Sequence, residues 1–302
     1  MISLIVCSVN PVLLEQLRAN VNETIGITHE LIIIDNRNTG DGICKAYNKA
    51  GRMASYPAVC FIHEDVRFET KDWGYRILAH LEDPNIGMLG FAGGDAKPVV
   101  PASWSSCFRS NQINVIQHFK MPDRAIEKLL VTDTEPPSVS RPVVALDGFF
   151  LATRKDIFDR FPFDEQLLTG FHGYDIDFSL QVGRHYKMLV IFDIVVHHLS
   201  DGSLNKAWME SQMILSKKWK KELPVFVETI DKKQETFYHW KSFQVFMENL
   251  LRLRYPRLFI LKNFARYSFN RYFRLRRFLS LGKYVVLSFI YPETISNKKQ
   301  GA

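Results

Sequence analysis

The chain has 302 residues, 46% hydrophobic and 13% aromatic, enough for one main domain with roughly fifty to eighty residues left for an extension. Its 39 Lys+Arg against 32 Asp+Glu give a net charge of +7, and no uninterrupted apolar run approaches the ~18 residues that a membrane span needs, which excludes an integral membrane protein. The excess charge is concentrated: ten basic residues and no acidic one lie between Arg252 and Lys283, so that segment is expected to face an anionic surface.

The opening run at 2–9 reads as a buried strand, and Met1-Ile2-Ser3-Leu4 lacks the basic region of a cleaved signal peptide. A helix at 11–23 follows, then a strand at 31–34 that ends on Asp35 and Asn36. After a helix at 40–55, the strand at 58–62 delivers His63-Glu64-Asp65 at its end. Alternate residues of an extended chain share a face, so His63 and Asp65 point one way and Glu64 the other. The triplet is either a nitrogen and oxygen donor set for Mn2+ or Mg2+ or a group of solvated loop residues.

A helix at 72–82 and a strand at 86–91 precede a stretch, 92–142, that is rich in glycine and proline. It reads as long loops with one short helix near 123–130, and long loops inside a compact domain are more often functional than idle. The strand at 143–152 carries Asp147-Gly148 inside an apolar run, either a turn or a used carboxylate. A helix at 154–160 follows. At the start of the helix at 175–186 stands Gly173-Tyr174-Asp175-Ile176-Asp177. Positions i and i+2 of a helix face apart, so one acid can serve a site while the other caps the helix. The strand at 188–196 ends in His197-His198, adjacent histidines that face opposite ways, and in the polar run Ser200-Asp201-Gly202-Ser203. A helix at 204–221 closes this part.

Strands alternating with helices predict a mostly parallel sheet flanked by helices, whose ligands bind where strands end. Beyond 224, Phe243, Phe246, Leu250, Leu253, Phe259, Leu261 and Phe264 recur at helical spacing among basic residues. This is a helical extension suited to an anionic membrane surface through 240–291, in preference to nucleic acid, because bulky aliphatics are interleaved with the charges. The cysteines Cys7, Cys44, Cys60 and Cys107 form no paired spacing and read as reduced structural thiols. Together these features predict a cytoplasmic chain, soluble or peripheral on the inner face of the cell membrane.

Taken in this order and spacing, the motifs over about 1–220 resemble the family 2-like GT-A glycosyltransferases. The resemblance implies the GT-A fold, a Rossmann-like sheet in a domain at 1–223, with the extension at 224–302. It implies an inverting transfer of a sugar from a nucleotide-sugar donor to a glycan or lipid-linked acceptor, in surface polysaccharide or glycolipid synthesis. Asp35 and Asn36 then contact the nucleotide, and His63-Glu64-Asp65 stands where the family has its DxD motif, with Glu64 and Asp65 on the donor. Asp65, His198 and His63 hold a divalent metal, Mn2+ or Mg2+. Asp175 is the catalytic base, and Asp147, Gly148, Trp104 and Asp177 lie toward the acceptor. His63 and Tyr174 depart from the family's usual acids, which leaves a non-catalytic nucleotide-sugar binder as the alternative. A dinucleotide-dependent oxidoreductase is disfavoured because Cys7-Ser8-Val9-Asn10-Pro11 replaces a glycine-rich turn after the first strand.

Overall fold

The computed structural model describes residues 1–106, 111–119, 126–132, 138–199, 202 and 204–291. Cys107 and most of the 200–203 run lie outside the described residues. The first half of the chain forms β1 (Ile2–Ser8), α1 (Pro11–Thr24), β2 (His29–Asp35), α2 (Ile43–Met53), β3 (Ala58–Ile62), β4 (Val66–Phe68), α3 (Trp73–Leu81) and β5 (Ile86–Gly90). Short strands follow: β6 (Ala92–Gly94), β7 (Ala96–Lys97), β8 (Asn111–His118), β9 (Ile126–Val131), β10 (Ser140–Val143) and β11 (Ala145–Leu146). Next come β12 (Phe150–Arg154), α4 (Lys155–Arg160), α5 (Tyr174–Val182), β13 (Lys187–Ile191), β14 (Val196–His198) and α6 (Lys206–Lys218). The chain ends in β15 (Val225–Phe226), α7 (Lys232–Arg252), α8 (Arg257–Ser268) and α9 (Leu275–Ile290).

The main sheet has the order β10-β13-β5-β12-β3-β1-β2, and five of its seven strands run the same way, with β12 and β10 reversed. Its central strands are continuous apolar runs such as Ala58-Val59-Cys60-Phe61-Ile62, buried along their whole length, because helices cover both faces. One core lies on the α2 and α5 side, around Tyr47, Phe61, Phe158 and Phe178, and the other on the α1 and α3 side, around Leu17, Phe68, Trp73 and Phe150. Helix α1 starts where it does because Asn10 accepts from the amides of Val12 and Leu13 and Pro11 opens the first turn. The three described cysteines are free thiols, and burial pushes Cys7 up to about 11 and Cys44 up to about 12.

A second sheet, in the order β11-β6-β8-β14-β4 with β9 beside β8, occupies the stretch expected to be loops. The described part of the expected 123–130 helix is β9, paired antiparallel with β8 from Ile113 against Val131 to His118 against Ile126. The strand β8 was hidden because it buries polar groups: Asn114 donates to the carbonyls of Ile191 at 3.0 Å and Ile194 at 2.9 Å, so no apolar alternation marks it. The expected strand at 143–152 is broken at 147–149, where the chain leaves the second sheet as β11 and enters the first as β12. Asp147-Gly148 sits at that crossing.

Helices α7, α8 and α9 form a third core around Trp240, Phe243, Phe246, Leu250, Tyr267 and Val285, closed over Val100 and Met209. Among the described residues no helix is long and apolar enough to cross a membrane.

Candidate functional site

The strands β2, β1 and β3 run parallel, so Asp35, Ser8 and the 63–65 triplet all emerge at one edge. There Glu64 turns into the β1–α1 turn. Its carboxylate accepts from the Ser8 hydroxyl at 2.6 Å and from the amides of Val9 at 3.2 Å and Asn10 at 3.0 Å. A carboxylate that satisfies three donors ahead of a helix is a structural clamp on the turn. Both oxygens of Glu64, expected to lie on the donor, are thus engaged by the protein in this turn.

His63 and Asp65 leave the same strand on the other side, as the alternation predicts, and meet His198 from β14. His63 Nδ1 lies 4.0 Å and His198 Nε2 3.7 Å from Asp65 Oδ1, and one ligand atom from each of the three lies within 4.8 Å of the others. Both imidazoles are held from behind. His198 Nδ1 faces Gln117 Oε1 at 3.2 Å, an acceptor, which places the proton on Nδ1 and the lone pair on Nε2. That Nε2 is buried and has no hydrogen-bond partner among the described residues. The Tyr174 hydroxyl donates to the Gly148 carbonyl at 2.9 Å and lies 2.7 Å from His63 Nε2, so it accepts there and leaves the His63 Nδ1 lone pair toward Asp65. Burial also lowers His63 to about 4, which keeps its ring neutral near pH 7. Two neutral nitrogens and a carboxylate oxygen, aimed inward, fit a divalent cation. His197, on the opposite side of β14, is spent on Glu69 at 3.1 Å and on His118 at 3.0 Å.

His63 also lines a cavity of about 280 Å³ with Trp104, Asp147, Gly148, Tyr174 and Asp175. Asp175 stands in the first turn of α5. Burial raises it to about 7, with the charge of Asp147 adding to the effect and nearby amides, those of Gly148 and Ile176 among them, opposing it. Asp147 accepts from Trp104 Nε1 at 2.9 Å and from the Phe149 amide at 3.2 Å, which fixes the indole as one wall. Gly148 is required where it stands, since a Cβ there would lie 2.2 Å from the Tyr174 hydroxyl.

Asp177 is not in this cavity. It is 1% exposed and its oxygens accept from Trp219 Nε1 at 2.7 Å, Lys218 Nζ at 2.8 Å and Gln181 Nε2 at 2.9 Å. The i, i+2 geometry sends it away from Asp175, so it ties α5 to the end of α6 instead of meeting an acceptor. Asp35 is exposed at the end of β2, and the Arg37 guanidinium beside it holds its carboxyl down to about 2. Asn36 donates to the Asp41 carbonyl at 2.8 Å and shapes the turn after β2. The edge therefore unites His63, Asp65 and His198, and through His63 joins them to Asp175 and Asp147, with Asp35 further along.

Sequence reasoning missed Gln117 and Lys97, both within the supposed loops. Lys97 is fully buried, donates to the Ala102 carbonyl at 2.7 Å, and is lowered to about 7 by burial, which the charge of Asp175 offsets. A lone lysine ahead of a proline carries no sequence signal for that position.

The family model described as "Glycosyltransferase like family" matches residues 3–229. No curated protein matches the chain. Among solved structures, GalNAc-T7 with UDP, GalNAc and Mn2+ overlays with a TM-score of 0.50 at 10% identity, over 95% of this chain and 57% of that one. The mannosyltransferase PcManGT from Pyrobaculum calidifontis, in complex with GDP-Man and Mn2+, gives 0.45 at 13%, over 96% and 75%. TarS 1–349 of S. aureus gives 0.48 at 11%, over 96% and 91%. The likeness to GalNAc-T7 is one of fold.

Proposed function

The chain belongs to the Glycosyltransferase like family, with a GT-A fold, and from that premise we propose that it transfers a sugar from a nucleotide-sugar donor to an acceptor hydroxyl with inversion. The observation that carries this reading is the shared cavity, in which a carboxyl raised to about 7 stands in the same chamber as one of three convergent metal-ligand side chains.

Asp175 is the general base, taking the acceptor proton as its oxygen attacks the anomeric carbon. Asp65, His198 and His63 would hold the cation, and two imidazole nitrogens suit Mn2+ better than Mg2+. When bound, that cation supplies charge neutralisation for a departing diphosphate. Tyr174 and Gln117 orient the two imidazoles. Asp147, Gly148 and Trp104 shape the acceptor side, and Asp35 with Asn36 faces the nucleotide. We assign catalysis to 1–223 and an accessory role to 224–302. The test is incubation with a panel of UDP- and GDP-sugars, Mn2+ and sugar acceptors, with the anomeric configuration of the product read by proton NMR. Retention would exclude the single displacement, and donor binding with neither hydrolysis nor transfer would favour a non-catalytic binder.

The acceptor class we assign is a glycan or lipid-linked sugar of surface polysaccharide or glycolipid synthesis, met at an anionic membrane. The support is the outer face of α9, where Leu275, Leu279, Val286 and Ile290 recur at helical spacing while 60%, 59%, 50% and 58% exposed, flanked by Arg276 and Lys283. Replacing Leu279 and Val286 by Asp should lower the fraction that pellets with phosphatidylglycerol vesicles by roughly tenfold, since each loses several buried methylenes. Undiminished pelleting would remove this face as the contact.

A further inference from the structure

A second cavity, largely apolar in its walls but edged with cations, lies at the seam where α6 and the segment after it meet the C-terminal helices. It has a volume of about 480 Å³, and its walls carry Lys220, His239, Arg266 and Arg271 with no Asp or Glu among the lining residues. Of the three cations, Lys220, Arg266 and Arg271, only Arg271 has an acid among the described residues, Glu235, to which it is bonded together with the Tyr272 hydroxyl. Among the described residues Lys220 and Arg266 have no acidic partner, and Arg266 lies 5.5 Å over the Tyr267 ring. His239, 4% exposed, donates from Nε2 to the Tyr267 carbonyl at 2.9 Å, and burial lowers its pKa, so its Nδ1 is an acceptor and adds no charge to the cavity. Cations brought together without counter-charge raise the local potential and attract an anion.

The directions of these groups narrow the chemistry. Lys220 comes from the end of α6, His239 from α7, Arg266 from the last turn of α8 and Arg271 from the link to α9. Lys220, Arg266 and Arg271, on three separate segments around one cavity, match an anion with three or more oxygens, and a guanidinium forks onto two of them. A planar carboxylate would leave several of them unused. We propose that this cavity binds a phosphate group.

Its position suggests what carries that group, a step that rests on the transfer function proposed above. Trp208 and Gln212 line the transfer cavity, and Ser216 lines this one. These residues fall at i, i+4 and i+8 on one face of α6, so the two cavities lie roughly 12 Å apart along a single helix. A phosphate held here and a sugar held beside Asp175 can belong to one acceptor molecule. Phe269, 65% exposed at the end of α8, and the apolar face of α9 continue outward from the same helices.

The test titrates the full chain, in EDTA so that metal-dependent donor binding is silent, with inorganic phosphate and with monomeric dihexanoyl phosphatidic acid, by calorimetry. Lys220→Gln with Arg266→Gln should weaken both ligands by at least about thirtyfold, since each substitution removes a charge-assisted contact. Arg52→Gln, a cation in the last turn of α2 and outside the cavity, should change neither. Equal affinity for the two ligands identifies the phosphate alone as what is recognised, and tighter binding of the lipid identifies a lipid-borne phosphate. Wild-type affinity in a double variant that melts at the wild-type temperature, or no saturable binding by the wild type, overturns the proposal. Nucleotide binding with Mn2+, measured alongside, separates the two readings: its absence would sink the transfer site and leave this cavity standing.

Discussion

Asp175→Asn is expected to lower the transfer rate by about 10²–10⁴-fold, the range typical of a lost general base, while nucleotide-sugar binding stays within about twofold of wild type. The amide keeps the shape and accepts from the same amides, but it cannot take a proton. In the intact protein the base works only as carboxylate, so kcat should fall about tenfold per pH unit below about 7. A bound cation favours the ionised form and should move that limb to lower pH as Mn2+ is raised. The linkage has the opposite sign for stability. An acid whose folded pKa lies above its unfolded value binds more protons folded than unfolded between about 4 and about 7, so the protein loses stability as pH rises across that window. The Asn variant lacks this loss and should melt higher than wild type at pH 8 and equally at pH 4. A variant with wild-type kcat would end the assignment of Asp175 as base.

How much of this was legible in the sequence depends on whether a residue's job is set by its own element or by a distant one. Strand ends are local: the apolar run at 58–62 followed by His63-Glu64-Asp65 announces where polar groups gather, and alternation alone sends His63 and Asp65 together. The opposite facing of Asp175 and Asp177 follows from 3.6 residues per turn. The partner of each group is not local. Glu64 reads as a donor ligand until the β1–α1 turn is seen to close on it. Tyr174 reads as a departure from an acid until it is found between His63 and Gly148, in contact with residues 111 and 26 positions away. The second sheet was illegible for the same reason. Gln117 and Asn114 lie on β8, whose buried amides bond to carbonyls and side chains some eighty residues later, and periodicity cannot register a strand that buries polar groups.

Asp65→Ala should abolish metal-dependent donor binding, raising the Kd for Mn2+ by about 10²-fold or more, read from the free Mn2+ signal in electron paramagnetic resonance. Asp65 is the single carboxylate of the convergent set. Without it two neutral imidazoles face a doubly charged ion, and no protein charge offsets the cost of dehydrating the cation. The backbone role of residue 65, accepting from the Leu199 amide at 2.8 Å, survives the substitution, so the β14 segment that carries His198 stays in register. Tyr174→Phe supplies the graded comparison. It removes the hydroxyl that fixes the His63 tautomer but no ligand, and loss of such an orienting partner typically costs about 10–100-fold in metal affinity. The expected order of Mn2+ affinity is therefore wild type, then Tyr174→Phe, then Asp65→Ala. Mn2+ binding undisturbed in Asp65→Ala would place the cation elsewhere and remove the donor diphosphate from this edge of the sheet.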